Sequence, residues 1–158
     1  MAWVEPVFDR TQTDVDFAKA QIQIWISQQM GYTHDLKGCL NLTDINRIEG
    51  NIKYLNDRLT ELYYSPGAVS KTWDHNGLPT ASDVRRILNN VQLIIDAYHR
   101  PAGAPNVPSG MSRYYEINDI EEILFRIKPI IERMVQSFQL SGMFVSGAKR
   151  MLPIRRVI

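Results

Sequence analysis

Residues 35–62 read DLKGCLNLTDINRIEGNIKYLNDRLTEL, and the spacing of their apolar side chains decides the fold class. Leu42, Ile45, Ile48, Ile52, Leu55, Leu59 and Leu62 follow one another at steps of three or four, which sets them on one stripe of an α-helix. Asn41 or Thr43 can cap its start, because a short side-chain oxygen satisfies a free N–H of the first turn. Asp44, Arg47, Glu49, Lys53, Asp57, Arg58 and Glu61 stand between the apolar positions and read as a solvent face of mixed charge. A helix of about 20 residues is ~30 Å long, enough for the spine of a small domain. Gly50 is its weak position, costing roughly 1 kcal/mol against alanine, and points to close approach of a neighbouring helix.

Working outward, residues 1–12 carry Trp3, Val4, Val7 and Phe8 among Glu5, Pro6 and Asp9. This segment is too apolar for a free tail and too short to fold alone, so it lies against the domain or a neighbour. A first helix starts at Thr11 or Thr13, with Asp14 and Asp16 suited to the positive end of its dipole. Val15, Ala18, Ile22, Trp25 and Ile26 form its inner face, and Gly31 ends it. After Leu62, the turn residues Ser65, Pro66 and Gly67 and the Asn76-Gly77 pair punctuate a long connection, in which Trp73 can fold back as a plug for the core. Thr80 or Ser82 opens a third helix with Val84, Ile87, Leu88, Val91, Ile94, Ile95 and Tyr98 as its stripe. Pro101, Pro105 and Pro108 stiffen a loop longer than most in compact domains, either a strap or a contact surface. Asn118 and Glu121 make a capping-box pattern before a fourth helix with Ile120, Ile123, Leu124, Ile127, Ile130, Ile131, Met134, Val135 and Phe138 inward. Pro129 should kink it by removing one backbone hydrogen bond. Trp25, Tyr54, Tyr98, Met134 and Phe138 read as core. From residue 143 onward, Gly147, Pro153 and the extended-favouring Met143-Phe144-Val145 and Val157-Ile158 replace the helical pattern.

The expected architecture is therefore all-α: a compact four-helix bundle-like domain over residues 1–142, including an N-terminal arm, and an extended C-terminal arm over 143–158. A formal net charge of +1 gives no global pull toward nucleic acid or an anionic membrane. The charge is uneven, however. Lys149, Arg150, Arg155 and Arg156 stand in the arm without an acid, leaving fourteen of the eighteen basic residues against all seventeen acids in the rest. Cys39 is the single cysteine, so no internal disulfide framework exists. No apolar run approaches the ~20 residues of a membrane span, and the N-terminus lacks the pattern of a signal peptide. The expected place of synthesis and folding is the cytosol.

Chemistry-bearing motifs are sparse. His34 and Cys39 have no second pair at metal-ligand spacing. Counting twelve from Asp74 reaches Arg85, where a calcium loop needs a bidentate glutamate. Lys37-Gly38-Cys39 lacks the spacing of a phosphate loop, and neither a G-x-S-x-G elbow nor an H-E-x-x-H helix occurs. Glu121 and Glu122 fall in a predicted first helical turn, where the dipole accounts for them. No enzyme activity, metal or cofactor is expected.

Phe8-Asp9-Arg10-Thr11 and Asp14-Val15, then Leu36-Lys37-Gly38-Cys39-Leu40-Asn41, Asp44-Ile45-Asn46-Arg47-Ile48-Glu49 and Asn51-Ile52-Lys53-Tyr54-Leu55, resemble a family of tail proteins of phages and prophages of Gram-positive bacteria. The likeness extends through 80–88, 118–124 and the Ser-Gly pairs near the C-terminus. It implies a minor structural, baseplate or tail-tip protein, present in several copies in a symmetric virion or tail-like particle, with other tail proteins as partners. The candidate partner-binding residues are Trp3, Val7 and Phe8 on one arm, and Phe144, Val145, Arg150, Arg155 and Arg156 on the other. Two rival readings use the same chain differently. A receptor-binding or fibre-attachment adaptor would contact the host surface through the loop between His99 and Tyr115. A cytosolic binding module would contact nucleic acid through the basic C-terminus.

Overall fold

The computed structural model describes residues 2–141 apart from 32, 33, 76 and 78, with the backbone alone for 138–141. The fold is all-α. Four helices follow in order: α1 (Gln12–Ser27), α2 (Leu42–Glu61), α3 (Ala81–Ala97) and α4 (Tyr114–Ser141). No strand occurs among the described residues. The C-terminal arm, the Asn76-Gly77 turn as a pair, and the side chain of Phe138 lie outside the described residues.

The apolar stripes explain the packing. Ile48, Ile52, Leu55 and Leu59 of α2 meet Ile87, Val91 and Ile94 of α3 and Ile120, Ile123, Leu124, Ile127 and Ile131 of α4 in one fully buried core. α2, α3 and α4 all contact one another. α1 stands at the edge of this trio and buries only Ala18 completely. Ile26, expected inside, is 64% exposed, because α1 has too little helix surface against it to cover its last turns.

Start signals act as expected at three helices. Thr11 and Thr80 each form a reciprocal capping box, with Asp14 and Asp83 respectively, and Asn41 is the N-cap of α2. At α4 the expected box at Asn118 and Glu121 is not the start. The helix begins a turn earlier, where the Glu116 carboxylate accepts from the N–H groups of Ser112 and Arg113 at 2.9 Å each. Asn118 and Glu121 are freed for another use. α1 ends at Ser27, before Gly31, with Gln29 in the left-handed region at φ 52°. α4 runs through Pro129, which is exposed on the outer face.

Two connections finish the core. Trp73 folds back as a plug, 6% exposed, and the proline-bearing loop is a strap that buries Pro101 and Met111 and lays Ala104 and Val107 on the core. Tyr98 departs from expectation. At the end of α3 it stays 38% exposed, its ring edge-on to Tyr64 and His99.

Candidate functional site

The largest correction concerns the outer face of α2. Asp44 and Glu49 are 5% and 1% exposed, and Arg47 is half-buried. They lie under two ribbons without helix, residues 2–11 and 64–74, that run along the flanks of the helix. A single helix cannot provide that cover, so the charges meet partners instead of water.

Beneath the first ribbon lies a four-charge cluster that sums to zero. The Arg10 Nη2 donates to Asp44 Oδ1 at 2.8 Å and to Glu121 Oε1 at 3.2 Å. Arg47 reaches the same two carboxylates, with Nε to Glu121 Oε2 at 2.9 Å and Nη2 to Glu121 Oε1 at 2.7 Å. The amide of Val7 donates to Glu121 Oε2 at 2.6 Å. Burial opposes a charge on Asp44, but the Asn41 N–H, the Arg10 charge and the Arg47 hydrogen bond outweigh it and hold its carboxyl below the usual range. A second cluster lies under the other ribbon. Glu49 accepts from Trp73 Nε1 at 3.1 Å, from Arg86 Nη1 at 3.0 Å and from the Lys71 amide at 3.2 Å.

Asparagines hold the ribbons between these clusters. Asn51 accepts from the Val4 amide at 3.0 Å and donates to the Val4 carbonyl at 2.7 Å. Asn118 does the same for Arg10, Asn46 for Trp73, Asn90 for Val69 and Asn41 for Leu36. Each carboxamide bonds both main-chain groups of one residue, as a neighbouring strand would, in the ribbons for four of them and in the turn before α2 for Asn41.

These carboxylates have the composition of a catalytic dyad but not its setting. Asp44, Glu49 and Glu121 are shut from solvent and each is met by an arginine, so what the arrangement does chemically is fix backbone. Among the described residues no group of three His, Cys, Asp or Glu side chains is placed to hold a metal ion. No described helix is long and apolar enough to cross a membrane.

Among the described residues, a trough lies beside the start of α2. One part, about 670 Å³, runs between the end of α1 and the loop into α2, past Ile22, Ile26, Met30 and Cys39. The other, about 1040 Å³, passes Ile45, Val84 and Met111. The two parts adjoin at Leu40, Leu42 and His75, and the lining of each is mainly apolar.

Of the residues picked out from sequence, the N-terminal three are found against their own chain. The Trp3 ring meets Tyr54 edge-on at 5.6 Å with Lys128 on its face. Phe8 stacks at a tilt on Phe125 at 5.1 Å. Val7, held through its amide by Glu121, is half-buried. Docking onto a neighbour is thus not needed to cover them, because the flanks of α2 and α4 supply both apolar contact and hydrogen bonds. Phe144, Val145, Arg150, Arg155 and Arg156 lie outside the described residues. Sequence reasoning missed the part played by Arg10, Asn46, Asn51 and Asn90, and read Asn41 and Asn118 only as caps. The one available signal was Arg10 itself, the single basic residue of a ribbon whose other charges, Glu5 and Asp9, are acidic.

The segments that carry the tail-protein resemblance coincide with this clamp: Phe8, Arg10 and Thr11 in the first, Gly38 and Asn41 in the second, Asp44 to Asn51 in the rest. Gly38 is there for close approach, since a Cβ on it would lie 2.1 Å from the Asp14 carbonyl oxygen. Comparison with protein-family models, with curated proteins and with solved structures found no match.

Proposed function

We propose that this protein is a non-enzymatic structural subunit of a phage tail or phage-tail-like particle, in the baseplate or tail-tip region. The observation that carries this reading is where the signature residues fall. Among the described residues, Arg10, Asp44, Asn46, Arg47, Glu49 and Asn51 of the resembling segments clamp extended ribbons to a helical core. A body stiffened in this way suits a spacer in a symmetric assembly, where several copies meet through repeated contacts. Its partners are other tail proteins, and it is made in the bacterial cytosol before it enters the particle. The assembly contact is assigned to the C-terminal arm with Phe144, Val145, Arg150, Arg155 and Arg156, since the N-terminal ribbon is already engaged within the chain.

Deletion of residues 143–158 tests this directly. The truncated chain should keep its helical circular-dichroism signal, because the core formed among the described residues precedes the arm, and should be lost from purified particles. Normal incorporation would refute the assignment. Sheath, tube, tape-measure or fibre genes beside the coding sequence are expected; their absence would count against a particle of any kind.

A further inference from the structure

We propose that the C-terminal arm of one copy lies in the trough beside α1 and α2 of the next, joining subunits head to tail. The docking rests on the assembly role given to the arm above, and supplies the surface that the arm grips.

The trough has the chemistry for it. Ile26 and Met30 stand 64% and 46% exposed at its edge, over a floor that includes Leu40, Leu42 and Val84. The arm brings Met143, Phe144, Val145, Met151, Leu152 and Ile154 to such a floor, with four cations and no acid. The rest of the chain holds fourteen basic residues against seventeen acidic, so arm and body attract rather than repel.

Reach decides between a chain's own trough and a neighbour's. Ser109, Gly110, Met111 and Ser112 wall the trough and lead straight into α4. The 28 residues of α4 then carry the chain ~42 Å away. An arm of sixteen residues spans at most ~55 Å when fully extended. Returning to its own trough would leave roughly 13 Å, about four residues, to lie there. The arm of another copy can lay down its whole length. An exchange of this kind is heterologous and closes into a ring or grows as a stack, according to the rotation between copies.

Cys39, the single native thiol, lies in the wall of the trough and makes the test simple. The full chain carrying Val145→Cys is oxidised mildly and run without reductant. A ladder of dimers and larger species is expected, mixed in tag length when two differently tagged chains are combined. Adding Cys39→Ser should abolish it. Ile26→Glu, at an exposed position, should reduce it at least tenfold while the helical signal stays unchanged. A monomer band with an internal disulfide, a ladder that survives Cys39→Ser, indifference to Ile26→Glu, or no cross-link at all would each overturn the proposal. Presence in particles is scored separately. A ladder without incorporation leaves the docking standing and removes the particle, and incorporation without a ladder does the reverse.

Discussion

The carboxamide of Asn118 presents one acceptor and one donor, the same pair a peptide unit offers, and it meets both main-chain groups of Arg10. A buried polar group left without its partner costs about 1–3 kcal/mol. Asn118→Leu should therefore lower unfolding free energy by roughly 2 kcal/mol, read as a shift of the urea midpoint at constant slope. Arg10 carries more. Its side chain is 1% exposed and pairs with two carboxylates, and removing one partner of a buried ion pair costs about 3–5 kcal/mol. Arg47 remains to share Asp44 and Glu121, which places Arg10→Met near the lower end, at about 3 kcal/mol by the same chemical denaturation. Tyr63 runs the other way. It sits at φ 67°, 94% exposed, just past the end of α2, where the Tyr64 amide returns to the Leu59 carbonyl at 2.9 Å. Glycine is at home in this left-handed cap position. Tyr63→Gly should raise the unfolding free energy by about 0.5–1 kcal/mol.

At the scale of elements, α1 is the one least held by helix-to-helix packing. It is absent from the mutual packing of α2, α3 and α4, and its first turn rests on residues 37 and 38. Lys37 pairs with Asp9 at 3.0 Å and lies 3.7 Å from Asp14, while Gly38 lets the two backbones meet. A methyl group there would lie 2.1 Å from a carbonyl oxygen that belongs to backbone and cannot swing aside. Gly38→Ala should cost about 1–3 kcal/mol as overpacking does. The loss should be local, seen as faster amide exchange in α1 while α2 to α4 keep their protection. The apolar stripes of α2, α3 and α4 were legible because each has a core on one side only. α1 was misread at Ile26 because a helix at an edge shows the same period with less to bury.

For the molecule as a whole, ionised carboxylates tie ribbons and caps to helices, so stability should fall in acid. Asp14 and Asp83 are held below the usual range by the side-chain hydrogen bonds of Thr11 and Thr80, and Asp44 by the bonds and charges that overcome its burial. A carboxyl depressed in the folded state stabilises above its unfolded value, about 3.9, and loses that contribution as pH falls through the lower folded value. Asp119 acts in the opposite sense. Burial and the charges of Glu122 and Glu116 raise its pKa, so protonation there relieves a cost and softens the decline. The urea midpoint should hold from neutral pH to about pH 4–5 and drop below it, and Asp44→Asn should flatten that drop. By itself the sequence determined the class and the four helices, and narrowed three of their caps to a pair of residues each, because periodicity and capping are local properties that neighbouring residues share. Only the tertiary structure decided that Asp44, Arg47 and Glu49 on the polar side of α2 are covered while Lys53, Asp57, Arg58 and Glu61 stay at the surface, that the box at Asn118 and Glu121 is a clamp, and that the N-terminal ribbon belongs to its own domain. Those outcomes depend on partners 22 to 114 residues away along the chain, and no local pattern records which distant ribbon will cover a charge and bring the countercharge with it.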